Sequence, residues 1–147
     1  MKIARANLDD LNDIAPLFDL YRQFYKEAPD IDKCRDFLQH RIAQGESIIF
    51  LAKFDTGEAV GFTQLYPTFC SVELISRLVL YDLFVDENVR KQGVAKSLMD
   101  AAFDFASNNG YKRLTLETAI DNYPGQALYE KEGWKRDMGF YTYHLPV

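Results

Sequence analysis

The spacing of apolar residues changes along the chain, and each change marks an element. Leu11, Ile14, Ala15, Phe18, Tyr21 and Tyr25 recur at three- and four-residue intervals, which places them on one face of a helix over residues 10–25. Asp9 and Asp10 stand where its N-cap is expected. Pro29 and Asp30 interrupt the pattern, and Cys34, Phe37, Leu38 and Ile42 resume it as a second helix over 32–44, stopped by Gly45. Strand character follows over 47–54, which contains Ile48, Ile49, Phe50 and Leu51. Asp55-Thr56-Gly57-Glu58 predicts a hairpin turn, and Ala59 to Tyr66 the returning strand. A looser stretch is expected from Pro67 to Cys70. Residues 77–85 are nearly all apolar, which predicts a strand buried on both faces and central in its sheet.

The helical period then returns. Ala95, Leu98, Met99, Ala102, Phe103 and Ala106 predict a long helix over 90–108 ended by Gly110. Lys112 to Glu117 predicts a strand, Gln126 to Glu132 a short helix, and Phe140 to Leu145 a final strand; Ile3 and Ala4 begin the first. The order is strand, two helices, three strands, helix, strand, helix, strand, a mixed α/β domain on one sheet. No repeat or Pro-, Gly- or Ser-rich linker divides it, so residues 1–147 are expected to form a single domain.

Composition narrows the class. A chain of 147 residues, 48% hydrophobic and 27% charged, suits a globular domain; at this size folding buries roughly 70% of the unfolded chain's surface. The net charge of −5 and the lack of a basic run argue against nucleic acid, whereas a negative surface concentrates cationic amines. Cys34 and Cys70 fit neither a zinc pattern nor a disulfide framework, so no metal and two reduced thiols are expected. The start lacks a signal-peptide core and no window is apolar enough to span a bilayer, which predicts a cytoplasmic protein off the membrane.

The chemistry is concentrated where the apolar strand meets the long helix. Gly93 in the first turn of a helix is about 1 kcal/mol worse than alanine, a cost that close approach of a ligand to the backbone would explain. First-turn amides have no intrahelical acceptors, and with the helix dipole they form an anion site. Arg90, Lys91 and Lys96 add positive charge in an acidic chain, so a phosphate or pyrophosphate suits the place. An ordinary helix start that tolerates a glycine would read the same. Neither Gly-x-x-x-x-Gly-Lys-Ser/Thr nor Gly-x-Gly-x-x-Gly is present.

Arg90-Lys91-Gln92-Gly93-Val94-Ala95 resembles the Arg/Gln-x-x-Gly-x-Gly/Ala acetyl-CoA signature of the GNAT superfamily of N-acetyltransferases. A second passage, from Asn122 through Tyr129 to Glu130-Lys131-Glu132-Gly133-Trp134, resembles the family's next motif, in the right order and with a strand between. The resemblance implies an α/β fold with a mixed sheet of about six to seven strands, about four helices and a splayed central strand pair. It implies acetyl transfer from acetyl-CoA to a primary amine, of a small molecule or of a peptide or protein, by direct attack on the thioester. Backbone groups of Leu83, Phe84 and Val85 would pair with pantetheine, with one amide near Leu83 or Phe84 facing the thioester oxygen. The stretch Arg90, Lys91, Gln92, Gly93, Val94, Ala95 and Lys96 would hold the pyrophosphate, and Asn122 the pantetheine arm. Tyr129 matches the usual general acid, since a phenol with a pKa of about 10 stays protonated at neutral pH.

The base stays open at this point. Asp82 is an acid inside an apolar strand, costly without a partner or a task; the rival is a structural hydrogen bond, to Arg77 or a helix end. Glu73 and Glu117 are further carboxylates near the site. Polyamine acetyltransferases of the family carry adjacent acids where Tyr81 and Asp82 stand, so Tyr81 argues against a polyamine. Tyr21, Phe24, Tyr25, Glu27, Asp30 and Asp32 could border an acceptor pocket or simply build the fold. His40 and His144 receive no role. A non-catalytic acyl-CoA-binding or sensor module, and a protein binding a different diphosphate, are the alternatives. The apolar end from Phe140 to Leu145 is compatible with a homodimer, since many relatives pair through late strands.

Overall fold

The computed structural model describes all residues from Met1 to Val147 and resolves them into two compact units, Met1–Glu117 and Thr118–Val147. The first holds β1 (Lys2–Arg5), α1 (Leu11–Phe24), α2 (Ile31–Ala43), β2 (Ile48–Lys53), β3 (Ala59–Cys70), β4 (Ile75–Val85), α3 (Val94–Asn108) and β5 (Arg113–Leu116). The strands form one sheet in the order β1-β2-β3-β4-β5, antiparallel except for the parallel β4–β5 pair. A parallel pair needs a crossover, and α3 supplies it.

Alternation along the strands sorts the core into two faces. Ile49, Leu51, Phe62 and Phe84 pack with Ile14, Ala15, Leu17 and Phe18 of α1 and Cys34 and Leu38 of α2. The opposite face receives α3, where Phe105 meets Phe50 at 5.9 Å between ring centroids. Val94, Leu98, Met99, Ala102 and Ala106, the apolar stripe of α3, are buried. A large aliphatic side chain taken fully from water contributes about 1.5–3 kcal/mol, so each stripe position matters to holding its helix down.

Several expectations change in detail. Asp10 makes no side-chain cap on α1; Asn7 caps the preceding 3-10 turn, in a capping box with Asp10. Asp30 caps α2 by accepting from the Lys33 amide at 3.1 Å. The stretch from Pro67 to Cys70 is strand, not loop. Proline is tolerated there because β2 pairing ends at Ile48–Leu65, so β3 beyond Leu65 has one open edge and needs no amide on it. The apolar strand β4 is interior, as expected, but β3 is the middle strand and β4 lies beside the edge strand β5.

The second unit contains α4 (Tyr123–Lys131), capped by Asn122, whose side chain accepts from the Gly125 amide at 3.3 Å. Trp134 follows and its ring lies 6.3 Å from that of Tyr129. The final strand expected at Phe140–Leu145 does not form, which leaves five strands in place of six or seven. Its apolar side chains have no partner layer: Phe140 is 87% exposed and Tyr143 90%. A β-prone sequence without a neighbouring strand makes no ladder.

Candidate active site

β4 carries two kinds of chemistry. On the β5 side, pairing stops at Leu80–Leu116, so Tyr81 to Val85 continue without a β5 partner. This is the parting of a parallel strand pair expected from the sequence. Backbone groups alternate sides along β4, so Phe84 bonds toward β3 while Leu83 and Val85 face the side without a β5 partner, where an extended amide-bearing chain could pair. Gly61 opposes Val85, and a Cβ at Gly61 would sit 2.9 Å from the Phe84 carbonyl oxygen, so glycine lets β3 approach this stretch closely.

Beyond Val85 the chain makes a 3-10 turn over Glu87–Val89 and enters α3. Arg90 Nε donates to the Val85 carbonyl oxygen at 3.1 Å, and its guanidinium lies 6.0 Å from the Phe84 ring centroid. Arg90 therefore ties the loop to the end of β4. Lys91 and Gly93 both take left-handed conformations, with φ of 62° and 81°. Gly93 is the N-cap of α3 rather than part of its first turn. A Cβ there would touch nothing within 4 Å, so glycine serves the backbone conformation and not the packing of its neighbours. Val94 is buried while Lys91 to Gly93 are exposed, which leaves the start of α3 open at its polar end. Lys96 forms an ion pair with Asp100 at 2.8 Å. The donor set suits a pyrophosphate: orphan first-turn amides, a helix dipole, a turn held by two left-handed residues, and exposed Lys91.

On the α1 side, the β3–β4 register slips by one residue. Gln64 pairs with Asp82 and Leu65 with Leu80, so Tyr81 is the extra residue of a β-bulge. A bulge bends its strand and re-aims side chains. Tyr81 is 60% exposed, whereas Asp82 is 4% exposed. Asp82 makes no ion pair, and the proposed partners Arg77 and a helix end are not what holds it. Gln64 Nε2 donates to Asp82 Oδ2 at 2.6 Å, and Ser47 Oγ donates to Gln64 Oε1 at 2.7 Å. Thr63 Oγ1 donates to the Asp82 carbonyl oxygen at 2.9 Å. Burial pushes the Asp82 carboxyl above the usual carboxylate range, against the bonds from Gln64 and Tyr21. Tyr21 on α1 donates at 3.4 Å to the Tyr81 carbonyl oxygen and interacts with the Asp82 carboxylate. Burial and that charge hold its phenol well above its ordinary value.

The structure thus brings Leu83–Val85 together with Arg90–Val94, and joins Asp82 to Tyr21 across the sheet. Asn122 and Tyr129 belong to the second unit, where Asn122 also donates to Thr118 Oγ1 at 3.0 Å. The other weighed carboxylates are engaged elsewhere or exposed. Glu73 pairs with Arg113, Glu27 with Arg22 and Asp32 with Arg35, while Glu117 is exposed. Both cysteines are unpaired, and no group of side chains is arranged to hold a metal ion. Ser47 and Gln64 escaped the sequence reading. The signal was there for Gln64, a buried amide between Phe62 and Leu65 in a strand.

Comparison with known proteins agrees with this geometry. The profile of the acetyltransferase (GNAT) family matches residues 14–134. The chain is 44% identical over 147 residues to the uncharacterized N-acetyltransferase YhfO of Bacillus subtilis, covering 100% of this chain and 98% of that one. It is 32% identical over 135 residues to a probable acetyltransferase of Haemophilus influenzae, covering 92% and 90%. The crystal structure of a probable acetyltransferase superposes with a TM-score of 0.93 at 38% identity, covering 100% of this chain and 98% of that chain.

Proposed function

The chain belongs to the acetyltransferase (GNAT) family, and from that premise we propose that it moves the acetyl group of acetyl-CoA directly onto a primary amine, with Asp82 as proton acceptor and Tyr129 as proton donor. The carrying observation is the run from the unpaired end of β4 into the left-handed turn before α3. In this reading the backbone of Leu83 and Val85 pairs with the pantetheine arm, and one amide near Leu83 stabilises negative charge developing on the thioester oxygen. The amides of Lys91, Gln92, Gly93, Val94, Ala95 and Lys96 hold the pyrophosphate, with Arg90 bracing the loop through Val85. Asn122 adds a contact to the pantetheine arm.

A primary ammonium must lose a proton before its nitrogen can attack. Asp82 suits that task because burial makes its carboxylate a stronger base than an exposed one, while no fixed cation competes for it. Exposed Tyr81 and Tyr25, with half-buried Tyr21 and Tyr66, surround the approach with aromatic surface that favours a cation. The acids near α2 do not contribute: Asp30 is a helix cap and Asp32 an ion-pair partner. This supports one ammonium group on an apolar or aromatic carrier, whether a small molecule or a peptide terminus. The family profile spans both compact units, which supports one N-acetyltransferase domain over residues 1–147. The exposed aromatic tail supports a homodimer. No helix is long and apolar enough to cross a membrane, and with the unpaired cysteines this fits a cytoplasmic setting.

The test is release of free thiol from acetyl-CoA across a panel of primary amines, comparing the wild type with Tyr129→Phe. We expect amine-dependent release in the wild type. Deleting the hydroxyl should cost about 10²- to 10⁴-fold in turnover with acetyl-CoA affinity nearly unchanged. Full activity in the Phe variant would reduce Tyr129 to a packing residue beside Trp134.

A further inference from the structure

A base that is 4% exposed cannot itself meet an ammonium group arriving from solvent. The Tyr21 hydroxyl donates to the Tyr81 carbonyl oxygen at 3.4 Å, and the Asp82 carboxylate, on the next residue of β4, interacts with the same hydroxyl. Tyr21 is only half-buried, in ring contact with Phe84 at 6.3 Å and with exposed Tyr25 at 5.2 Å. Resting on the reading of Asp82 as proton acceptor, we propose that Tyr21 is a catalytic residue whose hydroxyl carries the proton from the amine to Asp82.

The transfer balances without any added reactant. One N–H bond of the ammonium breaks as the phenol oxygen takes that proton. The phenol's own O–H breaks as its proton passes to the carboxylate. Tyr21 is neutral before and after, the amine becomes a free base, and Asp82 becomes a carboxylic acid that returns its proton to water by the reverse path. The Tyr81 carbonyl gives the hydroxyl a second acceptor, so it stays hydrogen-bonded once Asp82 is protonated. Tyr81 is the extra residue of the bulge and has no partner in the β3 register, and its carbonyl accepts from Tyr21.

Ser47 and Gln64 complete the device. The Gln64 amide, anchored by Ser47, donates to Oδ2 and fixes the carboxylate. The other titratable or charged groups facing this cluster are Tyr25 from α1, Tyr66 from β3, Tyr81 from β4, and Arg41 from α2, which acts on Tyr66. Tyr66 feels the charge of Asp82 but makes no hydrogen bond with it, whereas Tyr21 does. Tyr21 is therefore the hydroxyl that links the buried acid to the accessible surface.

The experiment compares Tyr21→Phe, Asp82→Asn and the double variant, with saturating acetyl-CoA and the fastest acceptor of the amine panel. Thermal melting and acetyl-CoA binding verify folding, and Tyr21→Met replaces the Phe variant if the latter is unstable. We expect each single variant to lose at least about 10²-fold in turnover and the double variant to lose no more than Asp82→Asn alone, because the two groups act in series. The Tyr21→Phe loss should shrink as pH rises and the amine becomes free base in solution, whereas a purely structural loss would persist. A Tyr21→Phe enzyme within twofold of wild type, or losses that multiply in the double variant, would overturn the relay and leave the Asp82 reading standing. Unchanged turnover in Asp82→Asn, or a panel without turnover, would overturn both.

Discussion

The two faces of the sheet are built from opposite materials. Under α3 the side chains are apolar and the chemistry is left to the backbone: an unpaired strand end, a left-handed turn and the start of a helix. Under α1 the strands are paired with two register shifts, at Ala52/Lys53 and Gln64/Leu65, and the polar groups are the side chains of Ser47, Gln64, Asp82 and Tyr21. An anion with fixed geometry is well served by amides that cannot move and cannot titrate. Proton movement needs a group that does titrate, and burial is what tunes it. In the proposed reading the faces separate cofactor recognition from acid–base work, with β4 shared between them.

That contrast can be broken first on the α3 face. Leu98 is fully buried in the stripe that seats α3. Leu98→Ala should cost about 2–5 kcal/mol of stability and weaken acetyl-CoA binding with it, because the helix start rests on the same packing. Denaturant unfolding and a binding titration measure the two effects, and they should fall together. Gly93→Val separates them. No neighbour would clash with the new side chain, but a left-handed conformation costs an L-residue about 1–2 kcal/mol. The turn should relax, and acetyl-CoA affinity should fall about tenfold with a smaller loss of melting temperature. Unchanged affinity in a folded Gly93→Val variant would remove the pyrophosphate from this turn.

The smallest expected effect sharpens the α1 face. Burial raises the Asp82 pKa in the folded chain above its unfolded value, so the folded chain holds this proton more tightly. Stability from this group is therefore present at low pH and is lost as pH rises from the unfolded carboxylate range through the folded pKa. Asp82→Asn removes the cost of ionising in place while keeping an oxygen for Gln64. Its melting temperature should exceed wild type modestly at neutral pH, and the gain should vanish in acid. A variant less stable than wild type at neutral pH would mark Asp82 as a structural acceptor.

The cofactor face was legible because its information is local. The i, i+3, i+4 stripe from Ala95 to Ala106, the glycine before it and the positive residues around it all lie within one stretch of chain. The proton face was legible only in part. Asp82 is an acid in an apolar strand and Tyr21 a helix aromatic, which the sequence shows separately. Their meeting depends on α1 lying over β4, with sixty residues of chain between Tyr21 and the Tyr81 carbonyl. The Gln64 partner depends on a register shift that no alternation rule reveals.

The final strand marks the other boundary. The aromatic and apolar run from Phe140 to Leu145 has strand propensity, but propensity supplies no neighbour, and the segment joins no ladder and stays exposed. The amino-acid sequence by itself determined the order of helices and strands in the first 117 residues, apart from the end of β3 and the start of α3, and which acid is out of place. These follow from periodicity, capping and desolvation, all of which act within a few residues. Tertiary structure alone decided that β4–β5 pairing ends at Leu80–Leu116, that Tyr81 bulges, and that Asp82 answers to Gln64 and Tyr21. Those outcomes depend on which strand or helix lies alongside, and pairing between distant segments is set by the packing of the whole sheet.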